Sequence, residues 1–219
     1  MVLSAFLNLF ATSFGPVDEW DLGILQWIQA HLVNPFFETV LPAVTHLADK
    51  GWFWIVVSLI LIAIPKTRKI GWTMGVAMLL GLALGNGILK NVIARTRPYD
   101  LYPELYQEGG PLRLLVGKEH DLSFPSGHTL ASFEAAFGLF LRNKKWSIPA
   151  LILAVIIAFS RLYVCVHYVT DVLAGMVLGI CFAFLAKFIV DKIYEFIEKR
   201  RSAKPAAKLP ETEVKTEKE

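Results

Sequence analysis

Long apolar segments joined by short charged connections constrain this chain more than any other feature. Gly51 to Pro65, Ile70 to Ala94, Gly127 to Leu141, Ser147 to Val166 and Thr170 to about Ile193 run almost without charge. A helix needs roughly 20 residues to cross a bilayer, so the first and third segments reach across only by drawing on their flanks or by tilting less than their neighbours. Hydrophobic residues make up 55% of the 219 and charged residues 19%, and mean hydropathy is +0.50. That is too apolar and too unevenly charged for an ordinary soluble domain, and the chain reads as a membrane protein.

Charge in the connections sets the expected topology. Lys66, Arg68 and Lys69 fill one loop, Arg142, Lys144 and Lys145 another, and Lys199, Arg200 and Arg201 follow the last span. Clustered positive charge stays on the cytoplasmic side. The loop from Arg95 to Pro125 carries four basic and five acidic residues and is expected to face outward, together with the short turn near His167. The expectation is a multi-pass membrane protein with that loop and turn on the outer side.

The first fifty residues are less regular. Met1 to Phe14 is apolar but short, and it lacks the positive start of a signal peptide. Asp18 to Leu32 has a helical period that groups Trp20, Ile24, Trp27, Ile28 and His31, as in a helix lying in the membrane interface. Pro35 and Pro42 interrupt the stretch from Phe36 to Leu47. One further span or half-span here gives five or six in all. The expected division is an N-terminal amphipathic segment over residues 1–50, a transmembrane domain over 51–195 and a disordered cytoplasmic tail over 196–219. Glycines four apart, Gly71/Gly75, Gly81/Gly85 and Gly175/Gly179, suit close helix packing in lipid. Cys165 and Cys181 show neither metal-ligand nor disulfide spacing and read as packing residues.

Three short stretches hold the chemistry: Lys90 to Pro98 (KNVIARTRP), Pro125-Ser126-Gly127-His128, and Ser160 to Asp171 (SRLYVCVHYVTD). Charge at the edge of an apolar segment is functional by default. If Lys90 to Arg97 is helical to its end, its two cations lie on one face, roughly 10 Å apart along the axis. The alternative is that Lys90 snorkels and that Arg95 and Arg97 are ordinary flanking charges. Pro125 and Ser126 fit a helix start, where free N–H groups and Gly127 can admit an anion; a plain cap with His128 as a polar interface residue is the simpler reading. His167 and Asp171 are four apart, so on a helix the carboxylate can accept a hydrogen bond from Nδ1–H and fix the tautomer that leaves Nε2 free as a nucleophile. A satisfied His-Asp pair with no catalytic role has the same spacing. Arg161, six residues before His167, is poorly placed for the same face, which predicts that the chain turns between them. An arginine there suits phosphate, whose oxygens its planar fork binds in pairs.

Together, K-x6-R-P, P-S-G-H and S-R-x5-H-x3-D closely resemble the type 2 phosphatidic acid phosphatase superfamily, over about residues 50–195 and with no departure at a defining position. The resemblance implies an all-α polytopic membrane bundle and a phosphohistidine intermediate, with no cofactor and no required metal. It assigns His167 as nucleophile, Asp171 as its orienting partner and His128 as the acid that protonates the leaving oxygen. Lys90, Arg97, Ser126, Gly127 and Arg161 would hold the phosphate. The chemistry is compatible, because phosphoryl transfer needs mainly positioning and charge stabilisation. No separate carboxylate cluster for magnesium stands out in the sequence.

An outward site with apolar walls favours a lipid phosphate whose tail stays in the bilayer. Undecaprenyl pyrophosphate, phosphatidic acid and phosphatidylglycerol phosphate all fit, and the polyprenyl pyrophosphate is the preferred expectation. Tyr99, Tyr102, Tyr106 and Arg113 are the candidate head-group contacts. The partners expected are the lipid substrate and the bilayer, with no nucleic acid and no protein partner. Two other classes remain open: a vanadate-dependent haloperoxidase using the same anion pocket, which bromide oxidation would reveal, and a membrane transporter or binding protein, which would release no phosphate.

Overall fold

Prolines and asparagines set where several helices begin. Helix α1 (Pro16–His31) and helix α2 (Pro35–Leu47) each carry proline in the first turn, where its missing N–H costs nothing. Asn34 caps α2 by accepting from the Phe37 N–H at 3.0 Å, and Asn143 caps α8 (Lys144–Tyr163) by accepting from the Trp146 N–H at 3.1 Å. Between α2 and α3 (Trp52–Ala63) a tight turn over Asp49–Gly51 passes through left-handed backbone at Lys50 and Gly51. Helix α4 (Arg68–Leu80) continues through a wide-turned π segment, Gly81–Leu89, into the short α5 (Lys90–Ile93). A loop holding α6 (Pro98–Leu101) and a 3-10 turn (Pro103–Tyr106) leads to α7 (Gly127–Phe140), and α9 (Val169–Ser202) ends the fold.

This computed structural model describes residues 13–202 and contains no strand among them. Most of the apolar start and most of the expected tail fall on residues 1–12 and 203–219, outside the described residues; the first part of that tail, residues 196–202, is not disordered but continues the last helix to Ser202. The apolar segments found in the sequence coincide with α3, α4 to α5, α7, α8 and α9 within a few residues at each end, except that α9 continues past Ile193 to Ser202. The fold is the expected all-α bundle. By length and apolarity the runs Arg68–Leu101, Lys144–Tyr163 and Val169–Ser202 can each cross a membrane, and the pair Pro35–Leu47 and Asp49–Ala63, bent by 43°, can supply a fourth crossing.

Helix α7 is the centre of the bundle, packed on α9, α8 and α4. Glycine permits that closeness. A Cβ at Gly175 would lie 2.9 Å from the Ser126 carbonyl oxygen, and one at Gly179 would lie 2.9 Å from that of Leu130, so α9 meets the backbone of α7 directly. Gly71 plays the same part between α4 and α3, where a Cβ would stand 2.6 Å from the Ser58 carbonyl oxygen. Outside, large side chains such as Leu79, Leu82, Val177 and Phe188 are exposed. Apolar patches of that extent are what a lipid-facing surface presents.

Two sequence expectations change: α2 begins at Pro35 and runs through Pro42 without a break, and the grouping expected within α1 does not hold. Trp20 and Trp27 point outward while Leu22, Leu25 and Ile28 are buried, so the tryptophans and Ile28 do not share a face of α1. Buried beside those leucines are Asp18 and Asp21, two carboxylates inside an apolar interface. At the far end of the bundle from the three motifs, Lys69 of α4 and Arg142 after α7 both pair with Asp191 of α9, each at 2.7 Å. The positive clusters and the motif residues thus occupy opposite ends of the same helices.

Candidate active site

The helix through Lys90 does not continue to Arg97. It stops at Ile93, where Ala94 takes a left-handed conformation, φ 50°, and the chain turns so that Arg97 immediately precedes α6. Convergence of the two cations is therefore achieved by a turn and not by a shared helix face. Lys90 Nζ and Arg97 Nη2 donate to opposite oxygens of Asp121, each at 2.5 Å. Arg161, near the end of α8, donates through Nη1 to Thr45 of α2 at 2.8 Å and through Nη2 to Glu119. Glu119 also pairs with Arg97. All three motif cations are thus held by two carboxylates from the loop before α7. Burial by itself would raise the Glu119 carboxyl, but Arg161 and Arg97 outweigh it and hold it at about 2. Asp121 is likewise depressed, burial being overcome by Arg97 and Lys90.

His167 lies in the turn between α8 and α9, as the spacing from Arg161 predicts, and is almost fully buried. Its Nε2 is 3.3 Å from Arg97 Nη1, which also donates to the Val166 carbonyl at 2.9 Å. The other ring nitrogen, Nδ1, faces Asp171 Oδ2 at 3.5 Å and Ser123 Oγ at 3.4 Å, and Ser123 donates to that same carboxylate oxygen at 2.5 Å. The Tyr168 N–H adds a bond to it at 3.1 Å. Burial, then Arg97 and Arg161, push the imidazole well below its usual range, so it is neutral. Neutral imidazole with an unprotonated Nε2 is a nucleophile.

Asp171 has a second support absent from the sequence reading. Arg95 is completely buried, which removes it from the class of ordinary flanking charges. Its Nη1 donates to Asp171 Oδ1 at 2.6 Å and to Thr170 Oγ1 at 2.7 Å, and its Nη2 donates to Asp18 and, at 2.8 Å, to Asp21 of α1. The Tyr168 ring covers the guanidinium at 3.7 Å. These three carboxylates surround one arginine, so α1 is tied to the carboxylate that faces His167. The sequence signal available was the pair of aspartates three apart on an amphipathic helix.

His128, in the first turn of α7, meets Asp49 from the turn after α2 at 2.8 Å. Gly127 borders the same cavity, whereas Ser126 is buried, with its N–H on the Asp171 carbonyl at 3.1 Å and its hydroxyl accepting from Thr129 at 3.1 Å. The structure thus brings Lys90, Arg97, Gly127, His128, Arg161 and His167 to one cavity of about 1250 Å³. Asp171 and Ser126 stand behind its wall. Besides the cations, the cavity is lined by Leu59 of α3, Val76 and Leu79 of α4, Leu82 of the π segment and Glu134 of α7. Glu134 is a buried acid within α7 with one oxygen unpartnered. The tyrosines expected to touch a head group serve the fold instead: Tyr99 donates to the Glu119 carbonyl, Tyr106 to that of Cys165, and Tyr102 to Asp18. Arg113 pairs with Glu38 at 2.9 Å.

Comparison with known proteins places this geometry. A protein of Sulfolobus acidocaldarius described as undecaprenyl-diphosphatase is 38% identical over 138 residues, 63% of each chain, so the match spans under two thirds of that relative's length. Phosphatidylglycerophosphatase B of Bacillus subtilis is 33% identical over 76% of this chain and 81% of its own. The crystal structure of a transmembrane PAP2-type phosphatidylglycerolphosphate phosphatase from Bacillus subtilis superposes with a TM-score of 0.63 at 26% identity, covering 88% of this chain and 96% of that one. The PAP2 superfamily pattern itself matches residues 70–195, the stretch that carries all three motifs, and the chain belongs to that superfamily.

Proposed function

We propose that this chain is an integral membrane phosphatase that hydrolyses a lipid phosphate or pyrophosphate on the extracytoplasmic side, through a phosphohistidine on His167. The observation that carries this reading is the meeting of Lys90, Arg97, Arg161 and a neutral His167 on one cavity that continues between apolar helices. The cations bind the head, and the walls formed by Leu59, Leu79 and Leu82 take the tail. Relatives named for undecaprenyl diphosphate and phosphatidylglycerophosphate support a lipid substrate. Undecaprenyl pyrophosphate is the preferred candidate, with phosphatidic acid and phosphatidylglycerol phosphate as the other two.

In the reaction the phosphate displaces Glu119 and Asp121 from the three cations, which offset its roughly two negative charges. N–H groups at the first turn of α7, at Gly127 and His128, add donors, and Ser126 shapes that turn. Nε2 of His167 attacks phosphorus, and the bond to the leaving oxygen breaks as His128 gives that oxygen a proton. Asp171, held by Arg95 and Ser123, keeps the Nδ1 proton in place and stabilises the charge that forms on the ring. Water, deprotonated by His128, then attacks the phosphohistidine and releases inorganic phosphate. Protein groups alone supply the positive charge in this scheme, so it needs no metal ion.

The test is phosphate release in detergent from the three lipids, with and without a chelator. Saturable release from at least one lipid, unchanged by chelation, is expected. Release from none of them would overturn the reading, and loss of activity on chelation would overturn its metal independence.

A further inference from the structure

The turn between α2 and α3 presents an acid that the scheme above does not use. Asp49 Oδ1 lies 2.8 Å from Nε2 of His128, and its Oδ2 lies 2.9 Å from Nδ1 of His46. Asp49 and His128 are 79 positions apart in the chain, so only the fold brings them together. Lys50 adopts φ 52° and Gly51 φ 71° just after Asp49. A non-glycine residue in that conformation is strained and persists only where its surroundings hold it. Here the surroundings are close: a Cβ on Gly51 would stand 3.2 Å from Met78 of α4 and 3.6 Å from Ala131 of α7. The turn is pinned between the helices that line the cavity, with its carboxylate on the histidine of α7.

We propose that Asp49 is the positioning residue for His128: it holds the Nε2 proton, aims Nδ1 at the leaving oxygen and stabilises the doubly protonated ring. This rests on the reading of His128 as the acid. With the phosphate dianion bound beside it, the ring carries protons on both nitrogens, with Nε2–H on Asp49. As the phosphorus–oxygen bond breaks, its electron pair stays on oxygen and the Nδ1 proton moves there, leaving a neutral ring still bound to Asp49. In the second half Nδ1 takes a proton from the attacking water, and the imidazolium is restored. His46, exposed at the rim, donates to the other carboxylate oxygen and fixes its rotation. The site would then have two carboxylate-oriented histidines, Asp171 serving His167 and Asp49 serving His128.

Leaving-group dependence reads this role directly, because p-nitrophenolate departs without a proton and a lipid alkoxide does not. His128→Ala should lower kcat about a hundredfold or more with phosphatidic acid and far less with p-nitrophenyl phosphate. Asp49→Asn should show the same bias at smaller size, about tenfold with phosphatidic acid, in kcat and not in KM. The double variant should be no slower than His128→Ala alone, and Asp49→Glu should recover part of the loss. Competitive inhibition by inorganic phosphate should persist in Asp49→Asn, since its cations are untouched. Equal losses on both substrates, losses that multiply with those of His128→Ala, or loss of phosphate inhibition would make Asp49 merely structural and overturn the proposal. An unbiased loss in His128→Ala would remove His128 as the acid, and this proposal with it. Bias in His128→Ala without bias in Asp49→Asn would overturn the proposal alone.

Discussion

Nη1 of Arg97 stands 3.3 Å from Nε2 of His167. A guanidinium has donors and no acceptor, so Nε2 presents its lone pair and the ring proton sits on Nδ1, facing Asp171 and Ser123. In the proposed mechanism one arginine thereby holds the tautomer that attack requires and supplies charge beside the phosphorus. His167→Ala should lower kcat by about a thousandfold or more while leaving substrate binding near normal. Arg97→Lys should lose about a hundredfold in kcat/KM, since an ammonium cannot span Asp121, Val166 and His167 together. Steady-state kinetics on both variants check this, and His167→Ala should also fail to become labelled when quenched during turnover of a 32P-labelled substrate.

Ser123 lies outside the three motifs yet bonds the carboxylate oxygen nearest His167. Asp171→Asn should reduce kcat strongly but less than His167→Ala, because the ring still attacks when it adopts the right tautomer. Ser123→Ala should cost about tenfold, in kcat and not KM, with the same substrate preference. A change confined to KM would assign Ser123 to substrate binding instead.

Glu119 and Asp121 occupy the cations that a phosphate must take. Glu119→Gln and Asp121→Asn should each tighten competitive inhibition by inorganic phosphate, by a few-fold to about tenfold; weaker inhibition would show that the carboxylates organise the cations for the anion. The pH dependence follows from the same pairs. Glu119 falls from a usual 4.5 to about 2 in the fold, so its contribution to stability is complete above about pH 4.5 and disappears as pH falls towards 2. Unfolding in detergent at pH 5 and pH 3 should show that loss in the native chain and less of it in Glu119→Gln.

Gly175 meets the Ser126 carbonyl, and backbone cannot swing aside as a side chain can. Gly175→Ala should destabilise the bundle by about 1–3 kcal/mol and reduce activity, because separating α9 from the start of α7 moves His128 relative to His167. Thermal unfolding together with kcat tests both effects, and an unchanged melting temperature would contradict the close contact.

Glu108 in the motif-bearing loop and Lys144 at the start of α8 are both exposed. Single cysteines at these positions, on a Cys165→Ala, Cys181→Ala background, report orientation in sealed right-side-out vesicles. Labelling by an impermeant thiol reagent at Glu108 and protection at Lys144 are expected from the positive clusters. The reverse pattern would put the site on the cytoplasmic side.

The helical segments and the motif residues are legible in the amino-acid order alone. Apolar length is a local property, and the residues within each motif are spaced by the element that carries them. Asn34, Asn143 and the early prolines fix helix starts through contacts within a few residues, yet Pro35 and Pro42 read as interruptions until the fold shows them in one continuous helix. Tertiary structure alone decided how the site is assembled. Lys90 and Arg97 converge because Ala94 turns the chain, and Arg95, which looks like a flanking charge, is buried against aspartates from α1. Asp49 reaches His128 across 79 positions. Glu119 and Asp121 look like ordinary loop acids until Arg97, Arg161 and Lys90 surround them. None of these pairings has a period or a fixed spacing. Each exists because a charge buried in a membrane bundle must find an opposite partner, and which partner it finds depends on how the helices pack.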